Sequence, residues 1–196
     1  LMALHASKEN ITKRHKFYYS MVFILTSAVV GVFSAQDLFL FFLFWELELI
    51  PMYFLISVWG TGRAQYSATK FVLYTLAGSV FMLTGILITY FSYAQLTGTL
   101  TFDMQELGQF TAYPMAVQAL AFLGFFIGFA VKLPMVPFHT WLPDAHVDAP
   151  TPISMILAGI LLKMGAYGML RFNVSFFPEA LQTFAPYIAL FAVINI

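Results

Sequence analysis

The sequence predicts an all-α polytopic membrane protein, and two observations lead to that class. Hydrophobic residues make up 61% of the 196 residues, whereas Asp, Glu, Lys and Arg together make up 9%, against roughly 25% in ordinary soluble domains. Long apolar runs then recur along the chain, each close to the roughly 20 residues that a helix needs to cross the hydrocarbon core of a bilayer. This composition excludes both a soluble domain and a disordered chain.

Five complete helices and the start of a sixth follow from the positions of these runs. The predicted helices cover about Phe17–Phe33, Leu38–Trp59, Ser67–Tyr93, Tyr113–Lys132 and Ile153–Phe172, and a truncated helix begins near Phe184. Residues 1–16 are then a connecting segment, 17–172 a unit of five transmembrane helices, and 173–196 a loop with the start of the next helix. Because the final residues are still apolar, we expect an interior part of a longer membrane protein.

The charged residues between the predicted helices give the orientation. Basic residues fall in two connections that the number of crossings places on one side: Lys8, Lys13, Arg14, Lys16 and Arg63. The loop on the other side, Gln95–Ala112, holds Asp103 and Glu106 and neither Lys nor Arg. By the positive-inside rule the basic side is cytoplasmic, or stromal in a plastid. Arg171 is the one basic residue that disagrees with this orientation.

The stretch after Lys132 predicts a broken helix. Five prolines punctuate residues 134–152: Pro134, Pro137, Pro143, Pro150 and Pro152. Proline removes a backbone donor and clashes with the carbonyl four residues earlier, so a helix that reaches Pro134 should break there and resume after Pro137. In a membrane the freed backbone groups survive only inside protein or beside a wet cavity, and such breaks mark ion and substrate paths. The alternative is a helix that ends at Lys132 and is followed by a surface loop.

Three ionisable residues lie deep within the predicted helices, namely Glu46, Lys132 and Lys163. Each unpaired charge near the middle of a membrane costs roughly 2.5–3.5 kcal/mol on insertion scales, so these side chains should face inward and meet partners or water. We expect Glu46 to pair with one lysine and the other lysine to relay protons, because a desolvated ammonium group changes its protonation readily. The alternative is a Glu–Lys pair that only fixes helix packing.

A second acid, Glu48, lies two residues after Glu46. Two residues rotate a helix by about 200°, which predicts that the carboxylates point to opposite faces and that Glu48 meets another helix or a neighbouring subunit. Pro51 should bend the helix just beyond both acids. Lys70 lies near the cytoplasmic end of its helix, where snorkelling explains a lysine as well as a function does.

The broken segment also carries His139, Asp144 and His146, titratable groups through which protons can enter or leave. A third ligand beside the two histidines is not evident, so we predict no metal site. A net charge of zero gives no basic field for nucleic acid. Cysteine is absent, which excludes disulfides, cysteine nucleophiles and cysteine-held clusters. Since no nucleotide-binding motif is present either, we expect no cofactor in this chain.

Four segments of the sequence together resemble one family. They are FWELELIPMYFLISVWG at 44–60, SATKFVLY at 67–74, FAVKLPMVPFHTWLPDAHVDAPT at 129–151 and GILLKMGAYGMLRF at 159–172. These segments are similar to chain 4, the antiporter-like M or D subunit, of the NAD(P)H–quinone oxidoreductases of the complex I family. The WELELIP form, with its second acid, resembles the cyanobacterial and plastid versions, which implies a thylakoid complex that reduces plastoquinone.

The resemblance implies a fold of about fourteen transmembrane helices with two inverted five-helix repeats, of which this chain would hold the first. It also implies that Glu46, Lys132 and Lys163 lie on the family's proton path, that a lysine belongs at position 70, and that the helix breaks at Pro134. Other membrane subunits of the complex would then handle the quinone and NAD(P)H or ferredoxin. The same repeat occurs in multi-subunit cation/proton antiporters and membrane-bound hydrogenases, and a purely structural membrane scaffold is a further alternative.

Overall fold

A computed structural model describes residues 2–195 (of Glu9, the backbone only), and these residues fold into helices joined by short connections. The α-helices are α1 (Met2–Asn10), α2 (His15–Ser34), α3 (Leu38–Leu47), α4 (Leu49–Trp59), α5 (Ala64–Thr97), α6 (Met104–Gln109), α7 (Met115–Lys132), α8 (Trp141–Asp148), α9 (Thr151–Ile156), α10 (Leu162–Gly168) and α11 (Pro178–Ile194). Two π-helical segments, π1 (Leu157–Leu161) and π2 (Met169–Val174), make α9 and α10 parts of one continuous helix.

Five helical segments of residues 2–195 are long and apolar enough to cross a membrane: His15–Ser34, Leu38–Trp59, Ala64–Thr97, Met115–Lys132 and Thr151–Val174. The predicted all-α architecture with five spans is therefore confirmed. The longest, α5, has 34 residues, or about 51 Å at 1.5 Å per residue, and exceeds the hydrocarbon thickness. It ends before Gly98, whose φ of 78° is the left-handed conformation that closes a helix and that glycine adopts without strain.

Two terminal elements differ from the prediction. The segment predicted only as a connection contains α1, which packs against α9. At the other end, α11 starts at Pro178 rather than near Phe184. Pro178 fits the first turn because its missing N–H would have no partner there, and Pro186 is accommodated inside the helix.

The contact between α5 and α7 is the most extensive helix contact among residues 2–195. Glycine makes this close approach possible: a Cβ atom at Gly124 would lie 2.7 Å from the carbonyl oxygen of Phe81, and one at Gly128 would lie 2.8 Å from the Cβ atom of Met82. Small residues at membrane helix interfaces allow backbones to approach in this way. The seam brings the C-terminal end of α7 against the middle of α5.

The connections predicted to share one side of the membrane are in contact with each other. At the basic end, Trp59 Nε1 donates a hydrogen bond to the carbonyl of Lys13 at 2.8 Å. At the acidic end, the backbone N–H of Leu38 donates to the carbonyl of Phe102 at 2.9 Å. Arg171 lies at this acidic end, where its guanidinium donates to Gln36 Oε1 at 3.0 Å.

Candidate functional site

The fourth span is broken where the prolines predicted. Helix α7 ends at Lys132, turns occupy residues 133–140, and helix resumes at Trp141, four residues after Pro137. The resumed helix packs on the protein, because Trp141 is fully buried and α8 contacts α5, whereas the turn residues 133–140 are half-buried or exposed. The break predicted at Pro134 is thus confirmed, with helix resuming at Trp141.

The carbonyl groups freed by the break find donors inside the protein. The carbonyl of Ala130 would have faced Pro134, which has no N–H, and it accepts from the N–H of Met135 at 2.9 Å. The carbonyl of Val131 accepts from the indole N–H of Trp141 at 2.9 Å. Satisfied backbone groups of this kind allow an irregular helix to persist away from water.

The second span is also interrupted, at Glu48. Helix α3 ends at Leu47 and α4 begins at Leu49. Because Pro51 has no N–H to donate to the carbonyl of Leu47, the regular hydrogen-bond ladder fails at this point. The regular helix is thus interrupted at the second acid, three residues before Pro51.

Lys132 and Glu48 form a buried ion pair between the two interrupted spans. The ammonium of Lys132 donates to Glu48 Oε1, and the two side chains are 2% and 0% exposed. The expected pairing of Lys132 with Glu46 is wrong in this structure. Glu48 meets another helix, as predicted.

Aromatic side chains surround the ammonium group of Lys132. Its Nζ atom lies 5.6 Å from the ring centre of Trp45 and 5.3 Å from that of Phe71. Phe71 in turn packs on Trp141, with 5.2 Å between ring centres. Ring faces attract cations, so the charge of Lys132 is held by one carboxylate and two rings in an apolar setting.

Glu46 lies at the edge of this site without an ion-pair contact. It is half-buried, beside Ser79 and within electrostatic range of Lys132. Its Oε1 atom is buried and has no hydrogen-bond partner among residues 2–195. The Ser79 hydroxyl donates to the carbonyl of Thr75 at 2.9 Å. A buried carboxyl oxygen without a partner is costly.

Lys163 lies apart from the buried pair. It is exposed in the Thr151–Val174 span, and its ammonium donates to the carbonyl of Ala158 in the preceding turn. The expectation that Lys163 faces inward is therefore wrong for the part of the chain described. The segments on either side of α10, π1 and π2, are π-helical, a distortion that is frequent at functional sites.

A second charged group lies at the basic end, where α8 meets the start of α5. We call it the rim cluster: Arg63, Ser67, Lys70, Asp144 and Asp148. Lys70 Nζ donates to Asp144 Oδ2 at 2.7 Å, Arg63 approaches the other oxygen at 3.9 Å, and Ser67 donates to Asp148 at 2.5 Å. The hydrogen bond from Lys70 lowers the pKa of Asp144 below its usual range. Lys70 is thus engaged by a carboxylate rather than only snorkelling, and the cluster fastens α8 to α5.

The two histidines of the broken segment are not brought together on one helical face. His139 precedes α8 and is half-buried, with Nδ1 unpartnered among residues 2–195. His146 is exposed, and its carbonyl accepts from the Ser154 hydroxyl at 2.9 Å. Within the described chain no three metal-ligating side chains converge. Proton entry at His139, Asp144 and His146 stays a prediction.

Sequence reasoning did not single out several residues that shape the site: Trp45, Phe71, Ser79, Trp141 and Asp148. Two of them carried a usable signal. Asp148 lies one helical turn after Asp144 and repeats its charge on the same face. Trp141 follows the predicted helix break, where a freed backbone carbonyl needs a hydrogen-bond donor such as the indole N–H. The positions of the other three depend on contacts between distant helices, which no local pattern reveals.

The five spans, two of them interrupted around a buried ion pair, define a multi-span membrane protein of the transporter type. Residues 35–196 match the family described as "NADH:quinone oxidoreductase/Mrp antiporter, TM", and the chain belongs to this family. The resemblance seen in the four sequence segments is therefore confirmed.

Curated relatives place the chain within a part of a longer subunit. It is 52% identical over 187 residues to NAD(P)H-quinone oxidoreductase chain 4 1 of Picosynechococcus sp.. It is 51% identical over 186 residues to chain 4 3 of Trichormus variabilis. Each alignment covers 95% of this chain and 34% of the relative, so the chain spans about a third of their length.

Solved structures share the fold. Respiratory complex I from Thermus thermophilus matches with a TM-score of 0.76 and 30% identity, over 85% of this chain and 35% of that chain. The Mrp complex from Dietzia sp. matches with a TM-score of 0.71 and 28% identity, over 82% of this chain and 17% of that one. The antiporter-like architecture is therefore common to redox complexes and to Mrp complexes.

Proposed function

We propose that this chain is the proton-translocating part of a chain 4-type subunit in a NAD(P)H- or ferredoxin-dependent plastoquinone oxidoreductase of a cyanobacterial or plastid thylakoid membrane. The observation that carries the proposal is the buried Lys132–Glu48 pair at the end of the broken helix α7. The cyanobacterial relatives named as NAD(P)H-quinone oxidoreductase chains support the choice of complex.

In this proposal the electron chemistry takes place in other subunits. The electron donor and the quinone bind there, and this chain holds no cofactor of its own. Its partners are the neighbouring membrane subunits, the lipid bilayer and the protons that it conducts. Quinone reduction changes the charge at the boundary of the subunit, and that change opens or closes the Lys132–Glu48 contact.

Opening the contact is enough to move a proton. At about 4 Å and an effective dielectric constant near 20, two unit charges interact by about 4 kcal/mol. Since about 1.4 kcal/mol corresponds to a factor of ten, loss of the partner changes the proton affinity of a lysine by up to roughly a thousandfold. The apolar surroundings of Trp45 and Phe71 exclude the water that would otherwise screen this change.

The direction of the path follows from the arrangement of the remaining groups. Asp144 and His146 at the basic end, with His139 closer to the break, are the proposed entry. Lys132 is the first buried station, with Glu46 beside it. Lys163, exposed on the Thr151–Val174 span, is the next station, and it hands the proton to parts of the subunit that the longer relatives contain.

The test is a charge-neutral replacement of the pair in the full-length subunit within its complex. The double variant Lys132→Gln with Glu48→Gln keeps two polar, hydrogen-bonding side chains and removes both charges. We expect normal assembly on native gels, retained donor binding, and loss of quinone-dependent proton uptake in membrane vesicles. Lys16→Gln is the matched control, because Lys16 is exposed in the first turn of the first span and the same substitution there should leave proton uptake unchanged.

The alternatives give different results in the same assay. A structural scaffold predicts that the assembled double variant pumps like the wild type, which would overturn the proposal. A cation/proton antiporter without quinone coupling predicts that ion exchange continues when the quinone site is inhibited. Because the fold is shared with a solved Mrp complex, ion exchange with the quinone site inhibited should also be measured under an imposed sodium gradient.

A further inference from the structure

Two buried amide side chains lie at the acidic end, where α7 begins and the Thr151–Val174 span ends. Gln118 belongs to the first turn of α7, and Asn173 belongs to π2; each side chain is 2% exposed. Both π2 and the following helix α11 pack against α7. We call this contact the amide seam and define it by Gln118, Asn173 and Glu179, which is the acid in the first turn of α11.

Hydrogen bonds fix the orientation of the Gln118 amide. Its Nε2 atom donates to the carbonyl of Tyr113 at 3.0 Å and to Glu179 Oε2 at 3.2 Å. These two bonds use both hydrogens of the amide, so the Oε1 atom is directed away from Tyr113 and Glu179. Oε1 is buried and accepts no hydrogen bond from residues 2–195. An exposed carboxylate thus holds a buried amide whose oxygen is free to accept.

Asn173 repeats this arrangement one turn further along α7. Its Nδ2 atom donates to the carbonyl of Phe122 at 2.8 Å, and its buried Oδ1 atom has no partner among the described residues. The reverse orientation would set the amide oxygen against the Phe122 carbonyl, so the hydrogen bond decides which atom is free. Because Phe122 follows Gln118 by four residues, the points at which α7 holds the two amides are about 6 Å apart along its axis.

The surroundings of the seam supply acceptors and apolar groups rather than donors. Pro178 has no N–H for the carbonyl of Val174, four residues earlier, and the Glu179 carboxylate only accepts. Aromatic rings line the same contact, with 6.0 Å between the ring centres of Phe125 and Phe177. A buried acceptor without a donor is costly. The seam therefore requires hydrogen-bond donors that these neighbouring side chains do not provide.

Burial of the two oxygens restricts what can donate to them. The longer relatives contain further segments, but a helix added from outside cannot reach an atom that the described residues already enclose. A water molecule can be enclosed together with the atom, and internal waters in proteins bridge buried polar groups in this way. Water also donates two hydrogens without bringing a net charge into an apolar seam, which a cation would do.

We propose that the amide seam binds internal water at Gln118 Oε1 and at Asn173 Oδ1, and that this water exchanges with the acidic side of the membrane beside Glu179. The inference goes beyond the proposed function, because neither amide lies on the proposed path through Lys132 and Lys163. The seam gives the acidic side its own hydrated recess in this chain, with Glu179 at the opening and Asn173 at the inner end.

X-ray radiolytic footprinting of the purified full complex tests for this water in the unmodified protein. Hydroxyl radicals formed from bound water oxidise the side chains next to it, and mass spectrometry locates the oxidised residues. We expect oxidation of Tyr113 and Phe122, whose carbonyls bind the two amides, although their side chains are 3% and 1% exposed. Phe41, which is equally buried and packs against the rings of Trp45 and Phe172, should stay unmodified. Unmodified Tyr113 and Phe122, or equal oxidation of Phe41, would overturn the inference.

Two apolar replacements show whether the amides hold the water. Gln118→Met should abolish oxidation of Tyr113 and leave that of Phe122. Asn173→Leu should abolish oxidation of Phe122 alone. Gln105→Met, the same change at an exposed position of α6, is the matched control and should leave both signals unchanged. Oxidation that persists in both amide variants would show that these amides do not hold the water. A wild-type signal that changes when sodium chloride is replaced by choline chloride would assign the site to a cation; either result overturns the inference.

Cysteine labelling in sealed membrane vesicles tests the side from which the seam opens. Gln118→Cys should react with a membrane-impermeant methanethiosulfonate reagent applied to the acidic side and not with the same reagent applied to the basic side. Ala121→Cys, on the same helix and fully buried, should react from neither side. Absent labelling of Gln118→Cys, or labelling of it from the basic side, contradicts the opening at Glu179.

Discussion

The chain holds two lysine–carboxylate pairs that differ mainly in their access to water. In the buried pair, Lys132 and Glu48 are 2% and 0% exposed, and in the rim pair, Lys70 and Asp144 are 22% and 26% exposed. The buried pair lies beside two helix interruptions and under two aromatic rings. The rim pair joins regular helices at the membrane end and has Arg63 as a further neighbour.

This difference in water access distinguishes the rim pair, which holds two helices together, from the buried pair, which can take part in transport. At the rim, water can hydrogen-bond to a side chain that has lost its partner. The rim pair therefore contributes little to stability and mainly orients its two side chains. In the interior nothing replaces a lost partner, and packed apolar residues would hold the helices at least as well. A charged pair kept at that cost is consistent with transport rather than stability.

The largest predicted effect comes from removing one member of the buried pair. Lys132→Met leaves Glu48 without a partner in the interior, and breaking a buried pair in this way costs about 3–5 kcal/mol. We expect a severe loss of assembled complex on native gels. Lys70→Met removes the same group at the rim, where water reaches Asp144, and should leave assembly close to the wild type.

A second variant separates charge from packing in this prediction. Adding Glu48→Gln to Lys132→Met removes the stranded charge and should restore much of the assembled complex. Equal losses for Lys132→Met and Lys70→Met would contradict the contrast, because they would show that exposure does not decide the effect.

We expect an intermediate effect at two tryptophans whose indole N–H groups donate to backbone carbonyls, one in the interior and one near the surface. Trp141 is fully buried and donates to Val131 at 2.9 Å, whereas Trp59 donates to Lys13 at 2.8 Å in an exposed position. Trp141→Phe strands a buried carbonyl beside the helix break, which costs about 1–3 kcal/mol. Trp59→Phe should cost less because water can take the place of the indole. Thermal unfolding of the two variants in detergent measures the difference, and a larger loss for Trp59→Phe would refute it.

The sequence predicted the fold well because the fold depends on local properties. Span length follows from apolar runs, and the break before Trp141 follows from the missing N–H of Pro134. The helix α1 was missed because its residues are mostly polar and short of a span. The start of α11 was misplaced because the limits of a helix depend on which turn accommodates Pro178 and Pro186.

The site was predicted in its residues more than in its contacts. Glu46, Lys132 and Lys163 stood out because charges in apolar runs are rare. The partner of Lys132 was missed, since the contact between Lys132 and Glu48 depends on how two helices distant in the sequence pack against each other. The exposure of Lys163 could not be predicted either, because the direction of a side chain depends on which helices pack against its own.

The smallest effect we predict is a pH dependence at the rim. The hydrogen bond from Lys70 holds the pKa of Asp144 below its usual value, which is about 3.9 for an unperturbed aspartate. Because the pKa is lowered in the folded state, the stabilisation is complete above about pH 4 and is lost as the pH falls through the folded-state value. Hydrogen exchange at the amide of Thr61, which donates to the carbonyl of Asp148 at 2.8 Å, reports whether α8 stays fastened.

After correction for intrinsic exchange rates, protection of this amide should be constant from about pH 8 to about pH 5 and fall only below about pH 4. Asp144→Asn should lower protection at neutral pH and remove the acid-dependent step, because the titrating group is gone. A change between about pH 8 and about pH 5 would instead implicate a group other than Asp144. The rim pair would then respond to pH in the range in which the membrane works. The contrast between a passive rim pair and an active buried pair would no longer hold.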